Sequence, residues 1–247
     1  MTNVLIDADE LIYKACAAAE FDLEINGFHV LASEFATTQR IFCDQEAKIC
    51  EALGASEVVM ALSDKQNFRK EILLSYKANR SHRKPLAFGR LRQWVVNEYQ
   101  TIQRPALEAD DILGIFHPDF EYIASSDKDL LTIPTKVYSL HTDKVSDVSE
   151  AEANWNWLLQ TLVGDRVDGY AGCLGAGPVK AQTILLRACE SGRVPPEQLG
   201  EAWEVVVAAF RKAGMEEDAL PNARVARILR PEDWDEETQT PILWTPK

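Results

Sequence analysis

Three short apolar runs along the chain each stop at an aspartate: Asn3-Val-Leu-Ile-Asp7, Glu57-Val-Val-Met-Ala-Leu-Ser-Asp64 and Glu121-Tyr-Ile-Ala-Ser-Ser-Asp127. Runs of this length bounded by polar residues read as buried strands. Lys136 to Leu140 reads as a fourth strand without the terminal acid. Between them the period changes to that of helices: Phe35, Phe42 and Ile49 recur every seven residues, and Leu91, Trp94 and Val95 share one helical face. Alternating strands and helices predict an α/β core with a mostly parallel central sheet flanked by helices. Ligands in such sheets bind beyond the carboxyl ends of the strands, which would bring the three aspartates to one place.

Past about residue 150 the strand signals fade. Trp155 to Val163 is helical in pattern and leads into the glycine-rich segment Gly164 to Gly177, after which Pro178 opens another helix. Trp203, Val206, Val207 and Phe210 have the spacing of a core-facing helix, whereas Arg230 to Lys247, with three prolines and an acidic run, reads as an irregular tail or a packed strap. The expected organisation is therefore a core over 1–150, with a basic segment at about 65–105, and a helical subdomain over 151–247.

The chain of 247 residues is 46% hydrophobic and 26% charged, which excludes a disordered protein. No stretch approaches the roughly 20 apolar residues of a membrane span, and the first residues lack a basic leader ahead of an apolar run, so a soluble cytoplasmic protein without a membrane partner is expected. Five scattered cysteines without a C-x-x-C pair argue against zinc and against a disulfide framework. The formal charge of −13 speaks against nucleic acid as a partner until its distribution is read. Between Arg69 and Arg92 eight basic residues (Arg69, Lys70, Lys77, Arg80, Arg83, Lys84, Arg90, Arg92) stand against the single acid Glu71. Such a stripe is either an electrostatic footprint for phosphates or a solvated helix face.

Acids recur in tight groups: Glu108, Asp110 and Asp111; Asp127 and Asp129; Asp165 and Asp168. With Asp7 and Asp64 they make nine. Singly, each serves as a helix cap or turn residue, and Asp9 reads as the cap ahead of Leu11. Gathered together, they would repel one another and need cations beside them. Oxygen-only ligands select hard ions such as Mg²⁺ or Mn²⁺, and two such ions about 4 Å apart activate water for phosphodiester hydrolysis. In Leu174-Gly-Ala-Gly-Pro-Val-Lys180 two glycines precede a helix, an arrangement that offers bare N–H groups to a phosphate or simply makes a tight turn.

In this order the motifs resemble the 5′ nuclease, or flap endonuclease, family, which includes phage 5′-3′ exonucleases and the nuclease domains of bacterial DNA polymerases. The resemblance spans about residues 3–190. Val4 to Asp7 with Leu11 to Lys14 is similar to the family's opening strand. Asp64, Phe68-Arg69 and Tyr76-Lys-Ala-Asn-Arg80 are similar to its second acid and the start of its arch. Glu108 to Asp111 and Ser125 to Leu130 resemble its central acidic motifs, and Gly164 to Asp168 with the following glycines resembles its last acidic motif and a helix-hairpin-helix at about 157–190. The resemblance implies an arch on the α/β core and cleavage of DNA at 5′ flaps, nicks or free 5′ ends, leaving a 5′-phosphate and a 3′-hydroxyl. RNA of RNA–DNA hybrids is a further substrate it allows, and a monomer is expected.

By the same resemblance Asp7, Asp64, Glu108, Asp110, Asp111, Asp127, Asp129, Asp165 and Asp168 would hold two Mg²⁺ or Mn²⁺ ions. Lys77 and Arg80 would clamp the scissile phosphate. Arg69, Tyr76, Arg83, Lys84, Gly175, Gly177 and Lys180 would contact DNA, with Tyr76 either stacking a base or packing, and K⁺ would sit at the hairpin loop. The sequence departs from the family pattern at Gly169, where asparagine is usual, at Ala176, where isoleucine or valine is common, and at Val179, which takes the usual lysine position with Lys180 one place later.

Two rival readings frame the test. Ile6-Asp-Ala-Asp9 with Ser63 and Lys128 resembles an aspartate-nucleophile phosphatase of the haloacid dehalogenase type, which explains neither the basic stripe nor the glycine hairpin. A non-catalytic protein that binds DNA by its structure would leave it intact without needing metal.

Overall fold

The computed structural model describes residues 2–79, 83–189 and 192–246. Four of the expected strands form: β1 (Thr2–Asp7), β4 (Ala55–Ala61), β6 (Tyr122–Ala124) and β7 (Lys136–Ser139). With β5 (Thr101–Ile102) and β8 (Lys144–Asp147) they make a six-stranded sheet in the order β5-β4-β1-β6-β7-β8. All neighbours are parallel except β7 and β8. Val4, Leu5 and Ile6 of β1 are wholly buried, as a central strand covered on both faces requires. Because β1 and β6 run side by side in the same direction, Asp7 and Asp127 leave the sheet at the same end.

Helices cover both faces. One layer packs α1 (Ala8–Ala18), α2 (Phe35–Leu53) and α4 (Phe88–Glu98) through Leu11, Ile12, Phe42, Ile49, Leu91 and Val95. The other face takes α5 (Ala109–Phe116). Between β4 and α4 the basic segment forms a single turn of helix, α3 (Arg69–Ile72), and a run of turns; α4 itself lies on the core.

Two strands stand apart from the sheet. β2 (Glu20–Ile25) and β3 (Phe28–Ser33) form an antiparallel hairpin whose turn places Asn26 at φ +53° and Gly27 at φ +81°. Positive φ at both turn positions suits the right-handed twist of the ribbon, which is why Asn-Gly occurs there.

The helical part comprises α6 (Glu150–Val163), α7 (Pro178–Leu185), α8 (Leu199–Lys212) and α9 (Ala219–Ala226) around Trp157, Leu162, Val206 and Phe210. Its boundary near residue 150 is not a separation. After α9 the chain returns to the sheet, burying Ile228, Leu229 and Trp234 with Leu5, Leu113 and Ile123. The C-terminal stretch is a strap with a short pair of strands, β9 (Trp234–Asp235) and β10 (Thr240–Pro241). Trp244 closes it edge-on between Trp157 and Trp203, at centroid distances of 4.8 and 5.0 Å. Among the described residues no helix is long and apolar enough to cross a membrane.

Candidate active site

A cavity of about 380 Å³ opens at the carboxyl ends of β1 and β6, lined by Asp7, Asp9, Glu10, Ser63, Lys77, Glu108, Asp110, Ser126 and Asp127. Asp7 ends β1 and caps α1, accepting the N–H of Glu10 at 3.1 Å. Its other oxygen accepts from the Ser125 hydroxyl at 3.1 Å. Asp127 follows β6 and accepts the N–H of Asp129 at 2.9 Å. Glu108 and Asp110 enter from the start of α5, where Glu108 is the N-cap. An acid favours this end of a helix electrostatically, so the local fold and the site use the same residues. A smaller adjoining cavity shares Glu108 and Asp110 and adds Asp129 and Asp168, the latter from the turn after α6. Asp165 orders that turn, accepting from the N–H groups of Val167 at 2.7 Å and Asp168 at 3.1 Å.

The electrostatics are those of a site short of positive charge. Burial, reinforced by the charges of Glu10 and Asp9, pushes the Asp7 carboxyl up to about 7. Burial, then the charges of Asp7 and Asp127, holds Asp110 well above the ordinary range. Burial and Asp127 push Asp129 to about 6. Glu108 goes the other way: burial works to raise it, but Lys77 and Arg69 bring it down to about 2. The Lys77 ammonium hydrogen-bonds Glu108 and lies 3.5 Å from Asp168.

These donors are all oxygens, and in three of them burial and neighbouring acids make the charged form costly, which fits a hard divalent cation. Among the described residues no three metal-binding side chains already converge on one point. Lys77 is the cation that Glu108 and Asp168 share in this structure.

Lys77 is positioned by an uncommon backbone. It has φ +52°, and its N–H donates to the carbonyl of Asp168 at 2.7 Å. Asn79 adds a bond from its side-chain amide to the Arg166 carbonyl at 3.1 Å. This docking explains Gly169: a Cβ there would meet the Ser75 carbonyl oxygen at 2.3 Å, and the residue has φ +79°. The asparagine usual in the family does not fit this backbone.

Several expected site residues stand elsewhere. Asp64 does not line the cavity; its carboxylate accepts from the Ala106 N–H at 2.9 Å and from Gln103 at 3.3 Å, anchoring the loop before α5. Asp111 turns into the core with no exposed surface and binds Arg69 through both oxygens at 2.7 Å. It also accepts the N–H groups of Glu108 at 3.2 Å and Leu229 at 3.1 Å. Arg69, expected to contact DNA, is 2% exposed and further donates to the carbonyls of Val225 at 2.9 Å and Arg227 at 2.7 Å. Tyr76 is 3% exposed and packs rather than stacks on a base, its hydroxyl donating to Glu108 at 2.7 Å and Asp168 at 3.3 Å.

Asp9 is not the cap of α1, a role Asp7 takes; it faces the cavity and accepts the Ser63 N–H at 2.9 Å, with Arg92 at 3.7 Å. Glu10 is a cavity residue the sequence reading missed. It accepts from the Ser125 hydroxyl at 2.9 Å and the Ser126 N–H at 2.6 Å and pairs with Lys14 at 2.6 Å, tying α1 to the end of β6. The available signal was its place three residues after a strand-ending aspartate.

Arg80 lies outside the described residues. Arg83 makes a two-pronged pair with Glu20 of the hairpin at 2.7 and 2.8 Å, and Lys84 sits over the Phe88 ring at 4.3 Å. Gly175, Gly177 and Lys180 are exposed at the loop and first turn of α7.

Residues 2–157 match the family described as 5′-3′ exonuclease, N-terminal resolvase-like domain. The chain is 29% identical over 282 residues to the exodeoxyribonuclease of Enterobacteria phage T3, covering 99% of this chain and 93% of that protein. It is 29% identical over 280 residues to the exonuclease of Escherichia phage T7, covering 98% and 93%. Among solved structures it shares the fold of the bacteriophage T5 flap endonuclease in a complex with DNA and metal ions. That match has a TM-score of 0.58 at 15% identity and covers 92% of this chain and 93% of that one.

Proposed function

The chain belongs to the 5′-3′ exonuclease family, and on that premise we propose that it hydrolyses DNA phosphodiesters from 5′ ends and at 5′ flaps, in a divalent-metal-dependent reaction that leaves a 5′-phosphate and a 3′-hydroxyl. The observation that carries the reading is the gathering of Asp7, Glu108, Asp110, Asp127, Asp129 and Asp168 around two adjoining cavities at the carboxyl ends of β1 and β6. Asp7, Glu108, Asp110 and Asp127 would hold one Mg²⁺ or Mn²⁺, and Asp110, Asp129 and Asp168, with Asp165 ordering their turn, a second. Bound there, two such ions supply an activated water and stabilise the leaving oxygen. Asp64 and Asp111 act through the loops and core they anchor.

The chain's own groups supply the rest. Lys77 faces the cavity and is shared between Glu108 and Asp168. With cations held by Glu108 and Asp168, Lys77 would be free to face the scissile phosphate, where a fixed positive charge stabilises the transition state. By the resemblance Arg80 joins it. Arg83 and Lys84 guide a single-stranded 5′ end, and Gly175, Gly177 and Lys180 contact duplex backbone without reading its sequence. K⁺ at the loop before α7 rests on the resemblance alone.

Purified protein incubated with 5′-flap, nicked, blunt and single-stranded DNA, each with Mg²⁺ or EDTA, tests the reading. Mg²⁺-dependent release of 5′ fragments is expected, together with its loss in Asp110→Asn while DNA binding persists. Bound but intact DNA in Mg²⁺ would overturn the proposal and leave a binding protein.

A further inference from the structure

On the helical part, away from the carboxylates, a groove of about 450 Å³ runs between α7 and α8. Ile184, Val205 and Ala209 contribute buried or half-buried apolar side chains to it, and Lys180, Arg187 and Lys212 contribute exposed cations. Among the described residues no carboxylate lines it. This is unusual in a chain with 39 acids and 26 bases. Neighbouring cations elsewhere are neutralised: Arg211 pairs with Glu216 at 2.6 Å and Arg193 with Glu152 at 2.6 Å. Lys180, Arg187 and Lys212 have no ion-pair partner among the described residues. The volume falls within the roughly 300–1,000 Å³ of ligand pockets, and the lining combines an apolar body with like charges at the margin.

We propose that this groove docks an acidic protein segment bearing a large apolar side chain, the apolar group entering between α7 and α8 and the acids meeting Arg187 and Lys212. A phosphodiester backbone would satisfy the cations and leave the apolar lining without a partner. A second copy of this chain, at −13, is disfavoured by charge. A segment with both properties complements the lining and the margin together. Recruitment of this kind ties a nuclease to a partner without occupying its cleavage site.

The test uses the full-length protein and a fluorescein-labelled peptide of four aspartates followed by Leu-Phe, read by anisotropy. Saturable micromolar binding that weakens with added salt is expected. Arg187→Ala with Lys212→Ala should weaken it about five- to tenfold, as two partly exposed charge contacts would. Ala209→Glu, which fills the groove and sets an acid among its cations, should abolish it. Cleavage of a 5′ flap in Mg²⁺ by the Arg187→Ala/Lys212→Ala protein should stay within twofold of the parent, which shows that the variant is folded. Absence of peptide binding up to millimolar concentration would overturn the proposal. So would equal binding of a peptide with Ser-Ser in place of Leu-Phe. A loss of duplex DNA affinity in the double variant with peptide binding unchanged would reassign the groove to nucleic acid.

Discussion

Asp111→Asn separates two roles that the sequence alone assigns to one residue. As a metal ligand, Asp111 would lose cation affinity on this change while the fold stayed intact. In the structure its carboxylate is wholly buried, holds both terminal nitrogens of Arg69 at 2.7 Å, and accepts two backbone N–H groups. Asparagine has the same shape but no charge, and it turns an amide donor toward a guanidinium that is itself 3% exposed. Removing one partner from a buried pair costs about 3–5 kcal/mol, because the remaining charge is left without compensation. Arg69 keeps the carbonyls of Val225 and Arg227, which places the loss toward the lower end. Against a total stability of about 5–15 kcal/mol, this is a large fraction. With a urea slope of about 2–3 kcal/mol per molar, a loss of about 3 kcal/mol should lower the unfolding midpoint by about 1–1.5 M at an unchanged slope. In the range where the variant is folded, the Mg²⁺ concentration for half-maximal cleavage should match the parent. A variant as stable as the parent with a displaced Mg²⁺ requirement would refute the reasoning and return Asp111 to the metal site.

Stability in EDTA should fall as pH rises from about 4 to 7, because Asp7 and Asp129 have folded values of about 7 and 6, above the ordinary 3.8. A raised carboxyl stabilises the fold below its unfolded value and loses that contribution as pH climbs through the folded one. Mg²⁺ should remove the fall, and thermal melts across this range with and without Mg²⁺ check both statements. Lys77→Ala should slow single-turnover cleavage by at least a hundredfold with little change in DNA affinity; a loss of affinity alone would make Lys77 a positioning group. Gly169→Asn should cost about 1–3 kcal/mol by pushing on the Ser75 carbonyl, and should slow cleavage by displacing the turn that carries Lys77, measured by urea melts and flap assays in parallel. Glu10→Gln should lower the cleavage rate through its bonds to the Ser125 hydroxyl and the Ser126 N–H, with Glu10→Asp recovering less than half because it is one methylene short.

The sheet was legible because its strands are short apolar runs ended by acids, a pattern that fixes both the element and the end at which it opens. The hairpin was not read as strands, although Asn26-Gly27 lies between alternating apolar residues, the local mark of such a turn. Which acids belong to the site was only partly legible. Spacing brings Glu108 and Asp111 near one another at the start of α5, but the capping box turns Asp111 inward to a partner 42 residues earlier in the chain. The same holds for Arg69 and Tyr76: in sequence they begin a basic stripe, and only long-range contacts show that they are buried beneath the carboxylates. Asp9 reads as a helix cap and Glu10 carries no signal of its own, because two acids at the start of a helix are explained by its cap and dipole alone.

The contacts of Arg69 and Asp111 with residues 225–229 also set an order of events during synthesis. The floor beneath Glu108 depends on the carbonyls of Val225 and Arg227 and the N–H of Leu229, which are made more than fifty residues after Asp168, the last acid of the cleft. The closing edge-on contact of Trp244 with Trp157 and Trp203 comes later still. A nascent chain that carries every acid of the cleft therefore still lacks the groups that hold Arg69 beneath it until residues 225–229 have emerged.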